Sequence, residues 1–412
     1  MRRVRDVATL INGFPFKSED FDSSGEVPLV RIRDLTASDF ELYVPKSAVP
    51  DESLMKNGDL AIGMDGDFNS VLWARGPAAL NQRVCILRPR RGTDIRFLGY
   101  VLPSVLQIIN DLTYSTTVKH LSGSDVLQQL LPFPDVKLQQ RICQYLDRET
   151  AKIDDLICKQ ERLIELLAEK RQAIITHAVT KGLDPTVPTK SSGVPWQGPV
   201  PEHWTVQPLK NLIRMQTGVT LGKDFSEVET ETYPYLRVAN VQIGYVDLNE
   251  VKEIDLPKDL AATSMLRAGD VLMTEGGDRD KLARGCIWEA QIAPCVHQNH
   301  IFAVRTGDQL FNKFLVLALD ADPARAYFYF TGKQSTNLAS TNSTTVKNFR
   351  FGVPPVVEQH RIVDHLGRKT RLIDDLVDKA NAVISTLKER RSALISAAVT
   401  GRIDVREGVA KL

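Results

Sequence analysis

One long segment occurs twice in this chain, and the duplication constrains its fold more than any other feature. Residues 141–184 read RICQYLDRETAKIDDLICKQERLIELLAEKRQAIITHAVTKGLD, and residues 361–404 read RIVDHLGRKTRLIDDLVDKANAVISTLKERRSALISAAVTGRID. The copies align without a gap, so that Asp154 matches Asp374 and Val179 matches Val399. Such a long period does not suit a solenoid. It indicates that a unit made of a domain and a helix has been duplicated.

Each copy has the pattern of one long amphipathic helix, because apolar residues recur at steps of three and four. They are Ile153, Leu156, Ile157, Leu163, Ile164 and Leu167 in the first copy, and Ile373, Leu376, Val377, Val383, Ile384 and Leu387 in the second. A helix of about 35 residues is on the order of 50 Å long. Two such helices can cover each other's stripes as an antiparallel pair. The alternative is that each helix packs only on its own domain.

The totals describe an ordinary globular protein of two or more domains, with 412 residues, 43% hydrophobic and 25% charged. The net charge of +1 gives no sign of a nucleic-acid partner, so that function must rest on local patterns. Five cysteines without CxxC spacing, and no recognisable signal peptide, lead us to expect a cytoplasmic protein. The apolar runs at 97–109 and 311–319 are too short for a bilayer.

The regions before the two helices also resemble each other. Residues 235–241 (YLRVANV) align with 29–35 (LVRIRDL), 265–278 (MLRAGDVLMTEGGD) with 54–67 (LMKNGDLAIGMDGD), and 298–301 (QNHI) with 81–84 (NQRV). The pentapeptide STTVK stands at both 115–119 and 343–347, and we interpret these as matching positions. The Pro-rich stretch 186–204 predicts an extended connector without regular structure.

We therefore predict a mixed α/β (α+β) protein with an internal pseudo-twofold duplication. The predicted order is a first domain (1–136), a long helix (137–184), a Pro-rich linker (185–204), a second domain (205–355), a second long helix (356–404) and a tail (405–412). The domains differ most in their loops, which usually carry recognition, whereas the helices keep one pattern. A chain of this kind suits the reading of two different targets at a fixed separation.

At this point the residues match a family. The chain resembles the specificity (S) subunit of type I restriction–modification enzymes over essentially its whole length. The resemblance rests on the duplicated helix with its IDDL and AVT-containing ends, and on STTVK followed by a Pro-containing turn and QQRI or EQHRI. It rests also on the segment SGVPWQGPVPEHW at 192–204, whose counterpart before the first domain is absent.

The resemblance implies that each domain is a target recognition domain that reads one half of a split double-stranded DNA sequence. It implies that the paired helices set the gap, and that this subunit is not itself catalytic and needs no cofactor. Two methyltransferase (M) subunits would methylate adenine with S-adenosylmethionine, and two restriction (R) subunits would use ATP and Mg²⁺. A rival reading is a non-catalytic coiled-coil scaffold with two peptide-binding domains.

The residues shared between the two domains are the best candidates for contacts to DNA phosphates, which position a protein without reading sequence. They are Lys119, Lys347, Thr117 and Thr345 in the two STTVK segments, together with Arg90 and Arg91 from the densest basic run. The competing interpretation of the Ser and Thr residues is a helix N-cap or a turn. The competing interpretation of the basic run is a solvated surface.

Base readers should lie where the domains differ, because Arg suits guanine and Asn suits adenine by bidentate geometry. The candidates are Arg31, Arg33, Asp67, Asn69 and Arg83 in the first domain, and Arg237, Asn240, Asp278, Arg279, Lys281 and Asn299 in the second. The competing interpretation for each is a surface residue or a structural ion pair.

Two further patterns suggest chemistry that the internal repeat argues against. Cys295, His297 and His300 have the composition of a metal site, but the matching stretch at 80–83 supplies no ligand, so we predict no metal. The acidic residues near Lys281 resemble a nuclease cluster, but the first domain has no matching lysine. The sequence contains no phosphate-binding loop motif, and nothing in it supports nucleophilic catalysis.

Overall fold

The fold was analysed in a computed structural model that describes residues 1–112, 118–220, 222, 225, 228–334 and 338–405. Two compact units make up the chain, one formed by Met1–Glu161 with Asn381–Leu412 and the other by Arg162–Ala380. Each unit combines one globular domain with the first part of the helix that follows it and the last part of the other long helix. This composition repeats the duplication found in the sequence.

The α-helices are short within the domains and very long after them. They are α1 (Val4–Val7), α2 (Ile95–Leu112), α3 (Gly123–Gln128), α4 (Val136–Lys181), α5 (Lys258–Ser264), α6 (Asn312–Asp320), α7 (Asp322–Thr331), α8 (Ser343–Asn348) and α9 (Val356–Val399). The long helices begin five residues before the repeated segments. They end close to Gly182 and Gly401, whose positive φ angles of 76° and 73° are typical of the residues that terminate helices.

The strands of the first unit are β1 (Arg2–Arg3), β2 (Ala8–Asn12), β3 (Val27–Val30), β4 (Tyr43–Val44), β5 (Leu54–Met55), β6 (Leu60–Gly63), β7 (Ser70–Leu72), β8 (Ala78–Leu80), β9 (Val84–Pro89) and β10 (Leu130–Leu131). They form one sheet in the order β2-β9-β6-β7 and another in the order β4-β3-β8-β5. All pairs in the first sheet are antiparallel, whereas β3 and β8 are parallel. Val84–Ile86 of β9 are completely buried, as are Ala61 and Ile62 of the adjacent β6.

The second unit contains β11 (Thr189–Ser191), β12 (Pro199–Pro201), β13 (Thr205–Pro208), β14 (Ile213–Thr217), β15 (Glu231–Leu236), β16 (Lys252–Leu256), β17 (Val271–Thr274), β18 (Gly276–Gly277), β19 (Gly285–Ile287), β20 (Val296–His297), β21 (Ile301–Thr306), β22 (Lys333–Gln334), β23 (Ala339–Ser340) and β24 (Arg350–Val353). Its sheet β14-β21-β17-β19 repeats β2-β9-β6-β7, and β16-β15-β20 repeats β4-β3-β8. The parallel pair recurs as β15 and β20. The predicted mixed α/β class with two like domains is confirmed.

A buried ion pair occupies the same place in both domains. Arg88 donates to both carboxylate oxygens of Asp59 at 2.9 and 3.0 Å, and Arg305 donates to both of Asp270 at 2.8 and 3.1 Å. Both aspartates are buried, and each also accepts a backbone N–H three residues before it. A buried charge is tolerated only when it is paired and hydrogen-bonded, so each pair links two strands firmly. Arg88 is therefore structural rather than part of a phosphate-binding run.

Each long helix is fixed to its domain by one completely buried glutamine. Gln139 Nε2 donates to the carbonyl of Pro134, and Gln139 Oε1 accepts the N–H of Asp94 at 2.9 Å. Gln359 repeats this arrangement, donating to Pro354 and Gln309 and accepting the N–H of Phe311 at 2.7 Å. The segments that precede α2 and α6 are thereby held against the first turn of the long helix. This geometry explains the glutamine and proline in the two matching sequence motifs.

The predicted apolar stripes are only partly buried. Ile153, Leu167, Ile373 and Ile384 are buried, and the pairing of the helices is antiparallel within each unit. By contrast, Leu156, Leu163, Leu376 and Val383 are each more than 40% exposed. The expectation that the helices would cover both stripes was wrong for these four residues. Two paired helices cover one narrow seam, and residues beside that seam stay in contact with water.

The Pro-rich stretch is not an extended connector, and the prediction that it builds no regular structure was wrong. β11 and β12 form an antiparallel hairpin, with Thr189 opposite Pro201. Val200 and Trp204 are completely buried in the core of the second unit, and Trp204 Nε1 donates to Glu358. Proline is compatible with these positions because it withholds only its own N–H from a two-stranded ribbon. None of the helices in the described ranges is long and apolar enough to cross a membrane.

Replacing either buried glutamine should destabilise the chain. In Gln359→Ala the N–H of Phe311 and the carbonyls of Gln309 and Pro354 lose their partner, which should cost about 1–3 kcal/mol of unfolding free energy. Gln139→Ala should behave alike. Denaturant unfolding of the full-length chain measures the loss. The control is Gln140→Ala, which removes an exposed side chain on the next residue. Equal losses at positions 139 and 140 would contradict the role of the buried amide.

Candidate nucleic-acid interface

In the first domain, three polar side chains from distant parts of the chain meet beyond one end of the main sheet. Asp65 follows β6, Arg83 lies in the turn before β9, and His120 precedes α3. His120 Nδ1 lies 2.6 Å from Asp65 Oδ1, and Arg83 Nε lies 3.5 Å from Asp65 Oδ2. The histidine and arginine side chains are about half exposed, whereas Asp65 is mostly covered. We call these three residues, with Asp67 and Asn69, the first polar cluster.

Asp67 and Asn69 lie in the β6–β7 hairpin and are both exposed. The residue between them, Phe68, is buried and has a φ of 52°. Because its ring is anchored in the core, the two flanking polar side chains are directed away from it. Their exposure leaves both side chains accessible, and the role of Asp67 and Asn69 in base reading stays a prediction.

The second domain builds a polar cluster in the same place from other residues. Glu275 follows β17 and His300 lies in the turn before β21, with His300 Nδ1 2.6 Å from Glu275 Oε2. The backbone frame is the same, because Glu275 N donates to His300 O as Met64 N donates to Arg83 O. We call Glu275 and His300, with the adjacent Asp278, Arg279, Lys281 and Asn299, the second polar cluster.

A glycine brings a neighbouring segment against the turn in each domain. A Cβ on Gly13 would lie 1.9 Å from the carbonyl oxygen of Asn81, and a Cβ on Gly218 would lie 2.0 Å from that of His297. No other residue permits such an approach of two backbones. The turns that carry Arg83 and His300 are therefore held by the same backbone packing.

The two predicted readers Arg31 and Arg237 occupy matching positions and are both held by carboxylates. Arg31 donates to Asp34 at 2.7 Å and to Glu41 at 2.9 Å, and the hydrogen bond to Asp34 raises the pKa of Arg31. Arg237 donates to Glu250 at 3.0 Å. The structural ion pair that competed with base reading at these positions is therefore present in both domains.

Asn240 is buried, and its amide is fully used within the fold. Its Nδ2 donates to the carbonyls of Asp247 and Glu250 at 2.8 and 2.9 Å, and its Oδ1 accepts the N–H of Arg237. This placement argues against Asn240 as a base reader, since the amide is buried and both of its N–H groups donate to carbonyls within the fold. The sequence could not distinguish a capping asparagine from an exposed one.

The other predicted readers are exposed or half-exposed, and their roles stay predictions. Arg33 pairs with Glu41 at 2.9 Å, and Lys281 pairs with Asp278. Arg279 donates to the carbonyl of Tyr329 and to Gln334, and its guanidinium lies 4.1 Å from the centre of the Tyr329 ring. Asn299 is half-buried in the turn beside His300.

The two STTVK segments do not occupy equivalent positions, so this part of the sequence alignment was wrong. Residues 343–347 lie in α8, which precedes β24 and α9 as α3 precedes β10 and α4. The structural counterpart of Lys347 is therefore Leu127. Thr117 lies outside the described residues. The backbone N–H of Thr345 donates to Oδ1 of Asn342 at 2.9 Å. This hydrogen bond caps the start of α8 and fits the N-cap interpretation of this segment.

The two lysines consequently have different surroundings. Lys119 Nζ donates to the carbonyl and to the side-chain oxygen of Asn110, in the last turn of α2, at 2.6 and 3.0 Å. That position stabilises the negative end of the helix. Lys347 is half-exposed and contacts no carboxylate among the described residues. Lys347 thus keeps the free ammonium group that a phosphate contact requires.

Arg90 and Arg91 lie at the opposite end of the sheet from the first polar cluster. The cluster adjoins the start of β9, and these two residues follow its end, about 20 Å away at the rise of a β-strand. Arg90 Nε donates to Thr9, and Arg96 is held by Asp94 and Asp147. A single short DNA segment over the polar cluster would not also contact Arg90 and Arg91.

The three residues that suggested a metal site each have a different environment. Cys295 is buried, and burial raises the pKa of its thiol to about 12. His297 is buried as well, and desolvation lowers its pKa to about 4. His300 binds Glu275. In the described part of the chain, no group of three His, Cys, Asp or Glu side chains is placed to hold a metal ion.

Known proteins resemble this chain over nearly its whole length. The family described as "Type I restriction modification DNA specificity domain" matches residues 1–166 and 201–386. The EcoBI specificity subunit of Escherichia coli is 29% identical over 416 residues, covering 96% of this chain and 84% of that protein. The MjaVIII specificity subunit of Methanocaldococcus jannaschii is 21% identical and covers 98% and 92%.

Solved structures support the fold. A chain from a study of complex assembly and conformational transition of the type I R-M system has a TM-score of 0.64 at 17% identity, covering 97% of this chain and 96% of that one. The HsdS subunit from Thermoanaerobacter tengcongensis has a TM-score of 0.51 at 15% identity, with the same coverage. At such low identity the likeness concerns the arrangement of the backbone.

The surroundings of the two lysines predict different effects of their removal. Lys347→Ala should lower the slope of log affinity for DNA against log salt by about one, because one phosphate contact is lost. Lys119→Ala should leave the slope unchanged and destabilise the chain by about 1 kcal/mol, because the end of α2 loses its donor. DNA titrations of the assembled complex at several salt concentrations, with unfolding curves, measure both. An unchanged slope for Lys347→Ala would remove it as a phosphate contact.

Proposed function

This chain belongs to the type I restriction–modification DNA specificity family, and we propose that its two domains read the two halves of one split DNA target. It is a specificity subunit with two DNA specificity domains. The observation that carries the proposal is the pair of polar clusters. One backbone frame is used twice, and it presents Asp65, Arg83 and His120 in one domain but Glu275 and His300 in the other. A constant frame with different hydrogen-bonding groups suits the recognition of two different base sequences.

The long helices are proposed to set the separation between the half-sites. Each helix begins in one unit and ends in the other, since α4 passes from Glu161 to Arg162 and α9 from Ala380 to Asn381. Two matching ion pairs join the helices, because Arg391 binds Asp154 at 2.9 Å and Arg171 binds Asp374. An α-helix is stiff and has a fixed rise per residue. A continuous helix pair therefore suits a spacer of defined length.

Two methyltransferase subunits are the proposed partners of the helices. Leu156 and Leu376 occupy matching positions and are 45% and 47% exposed, and Leu163 and Val383 also match, at 41% and 43%. The chain thus presents the same apolar groups twice, which suits two copies of one partner around a pseudo-twofold axis. Two restriction subunits would complete the assembly.

We propose that this chain contributes recognition and no chemistry, and that the complex works in the cytoplasm. The partner subunits would supply the S-adenosylmethionine, ATP and Mg²⁺ chemistry, with adenine methylation or DNA cleavage as the outcome. The residues that make up the two polar clusters include no Ser, Thr or Cys, so neither histidine has a hydroxyl or thiol within its cluster to activate. The specificity subunit would act by placing its partners on DNA.

Lengthening both helices together should lengthen the gap between the half-sites. Inserting four helix-forming residues after Glu161 and four after Asn381 adds about 6 Å at matching positions, which corresponds to one to two base pairs of B-DNA. Binding selection from a DNA library with variable gaps measures the preferred spacing. Both half-site sequences should stay the same, because neither polar cluster changes.

A matched control inserts the same four residues after Val194, in the hairpin segment outside both helices. This variant should keep the original gap if it assembles. An unchanged gap in the double-helix variant would contradict the spacer role. If the wild-type complex selects no DNA sequence and the insertions only abolish assembly, the result would instead favour a scaffold that binds peptides.

A further inference from the structure

The two polar clusters share one side-chain arrangement that is not apparent from the sequence. Each contains an exposed histidine whose Nδ1 is held at 2.6 Å by a carboxylate. The pairs come from different positions in the shared frame. His120 corresponds to Ser340, because the bridge between Asp65 and His120 corresponds to that between Gly276 and Ser340. His300 corresponds to Arg83. The same arrangement has thus been built from different residues in the two domains.

We propose that His120 and His300 are specificity-determining residues that each contact a base edge in their own half-site through Nε2. This inference rests on the proposed function and deepens it. An ionised carboxylate can only accept a hydrogen bond, so Nδ1 carries the proton that it donates to Asp65 or Glu275. The other ring nitrogen, Nε2, is then the polar atom that each imidazole presents outward. Among the described residues, neither Nε2 has a hydrogen-bond partner.

The carboxylates act as positioning residues. Asp65 is 24% exposed and Glu275 is 32% exposed, whereas the histidines are 51% and 54% exposed. A mostly covered anchor that holds an exposed ring limits both the tautomer and the orientation of the imidazole. Such pre-organisation is what a base contact requires, because discrimination depends on a donor or acceptor in a fixed position.

The local charge favours a base edge over a phosphate. In the first cluster two carboxylates, those of Asp65 and Asp67, accompany one guanidinium, that of Arg83, which lies against Asp65. In the second, the carboxylates of Glu275 and Asp278 accompany the two cations Arg279 and Lys281, and the neighbouring Asp280 adds a third carboxylate. Neither group carries excess positive charge, and phosphate binding depends on such an excess. Base edges in the major groove offer amino donors to the carboxylates, and both donors and acceptors to the outward ring nitrogen of each histidine.

A further histidine–carboxylate pair, bound through Nε2 rather than Nδ1, serves as a control. His203 Nε2 lies 2.7 Å from Glu358 Oε2, and His203 is 44% exposed. This pair lies at the start of α9 rather than in a polar cluster, because Glu358 belongs to the first turn of that helix. A histidine–carboxylate pair does not by itself indicate a contact to a base. The position of the pair in the fold decides its role.

The test compares His120→Asn, His300→Asn and His203→Asn in the assembled methyltransferase complex. Asparagine keeps an amide near the place of Nδ1 and removes Nε2. The DNA methylation motif is mapped for each variant, together with affinities for the wild-type target and for each single-base substitution of it. His120→Asn should reduce discrimination at one base pair of one half-site by about fivefold or more, and His300→Asn should do so in the other half. His203→Asn should leave the motif unchanged.

Two results would overturn the proposal. One is an unchanged motif with unchanged discrimination in both cluster variants. The other is a uniform loss of affinity for all DNA sequences with the motif intact, which would identify the histidines as phosphate contacts. If His120→Asn fails to assemble, His120→Ala, which also removes Nε2, replaces it under the same criteria. Glu275→Gln should affect the same half-site as His300→Asn, and an effect confined to stability would contradict its positioning role.

The failure of the proposed function gives a different result. In that case the wild-type complex itself would show no split motif, and the variants would have no discrimination to lose. A split motif in the wild type, with no change in either cluster variant, would retain the function and reject only the histidine contacts.

Discussion

Two completely buried glutamines join each globular domain to the long helix that follows it. Gln139 and Gln359 each bind the proline turn before a long helix and the backbone at the start of α2 or α6. Each long helix therefore cannot rotate or shift against its domain without leaving buried backbone groups unpaired, which is costly. Within each domain, the buried pairs Arg88–Asp59 and Arg305–Asp270 fix neighbouring strands. The polar clusters lie at the far ends of those strands.

Duplication supplies the frame, and substitution within it supplies the difference between the two domains. Hydrogen bonds from Met64 and Glu275 to the facing turns are the same, and so is the close approach made by Gly13 and Gly218. The side chains placed on this frame are not the same. A carboxylate and a histidine meet in both clusters, but they are supplied by different positions of the frame. Under the proposed function, two targets would be read with one backbone geometry, and the matched helix surfaces would suit identical partners.

The sequence allowed prediction of the features that are periodic or local. The helix pair, the like domains and the mixed class follow from apolar spacing and from aligned segments, and the family follows from motifs with a packing role. Contacts between distant segments were not predictable. Asp65 and His120 are 55 positions apart, and only the folded sheet brings them together. Asn240 illustrates another limit, because the sequence does not show that its amide is buried and serves as a cap within the fold. The two identical STTVK pentapeptides were aligned with each other wrongly. The order of α3, β10 and α4 shows that the second pentapeptide corresponds to α3 instead.

The central claim is that this chain gives a partner methyltransferase two separate base sequences at a fixed distance. It is tested most directly by single-molecule sequencing of DNA from cells that express the chain with a methyltransferase subunit with which it forms a stable complex. The account predicts one split asymmetric motif, with methylated adenine in each half and a constant gap. Methylation at a continuous motif, or no new methylation by an intact complex, would contradict it.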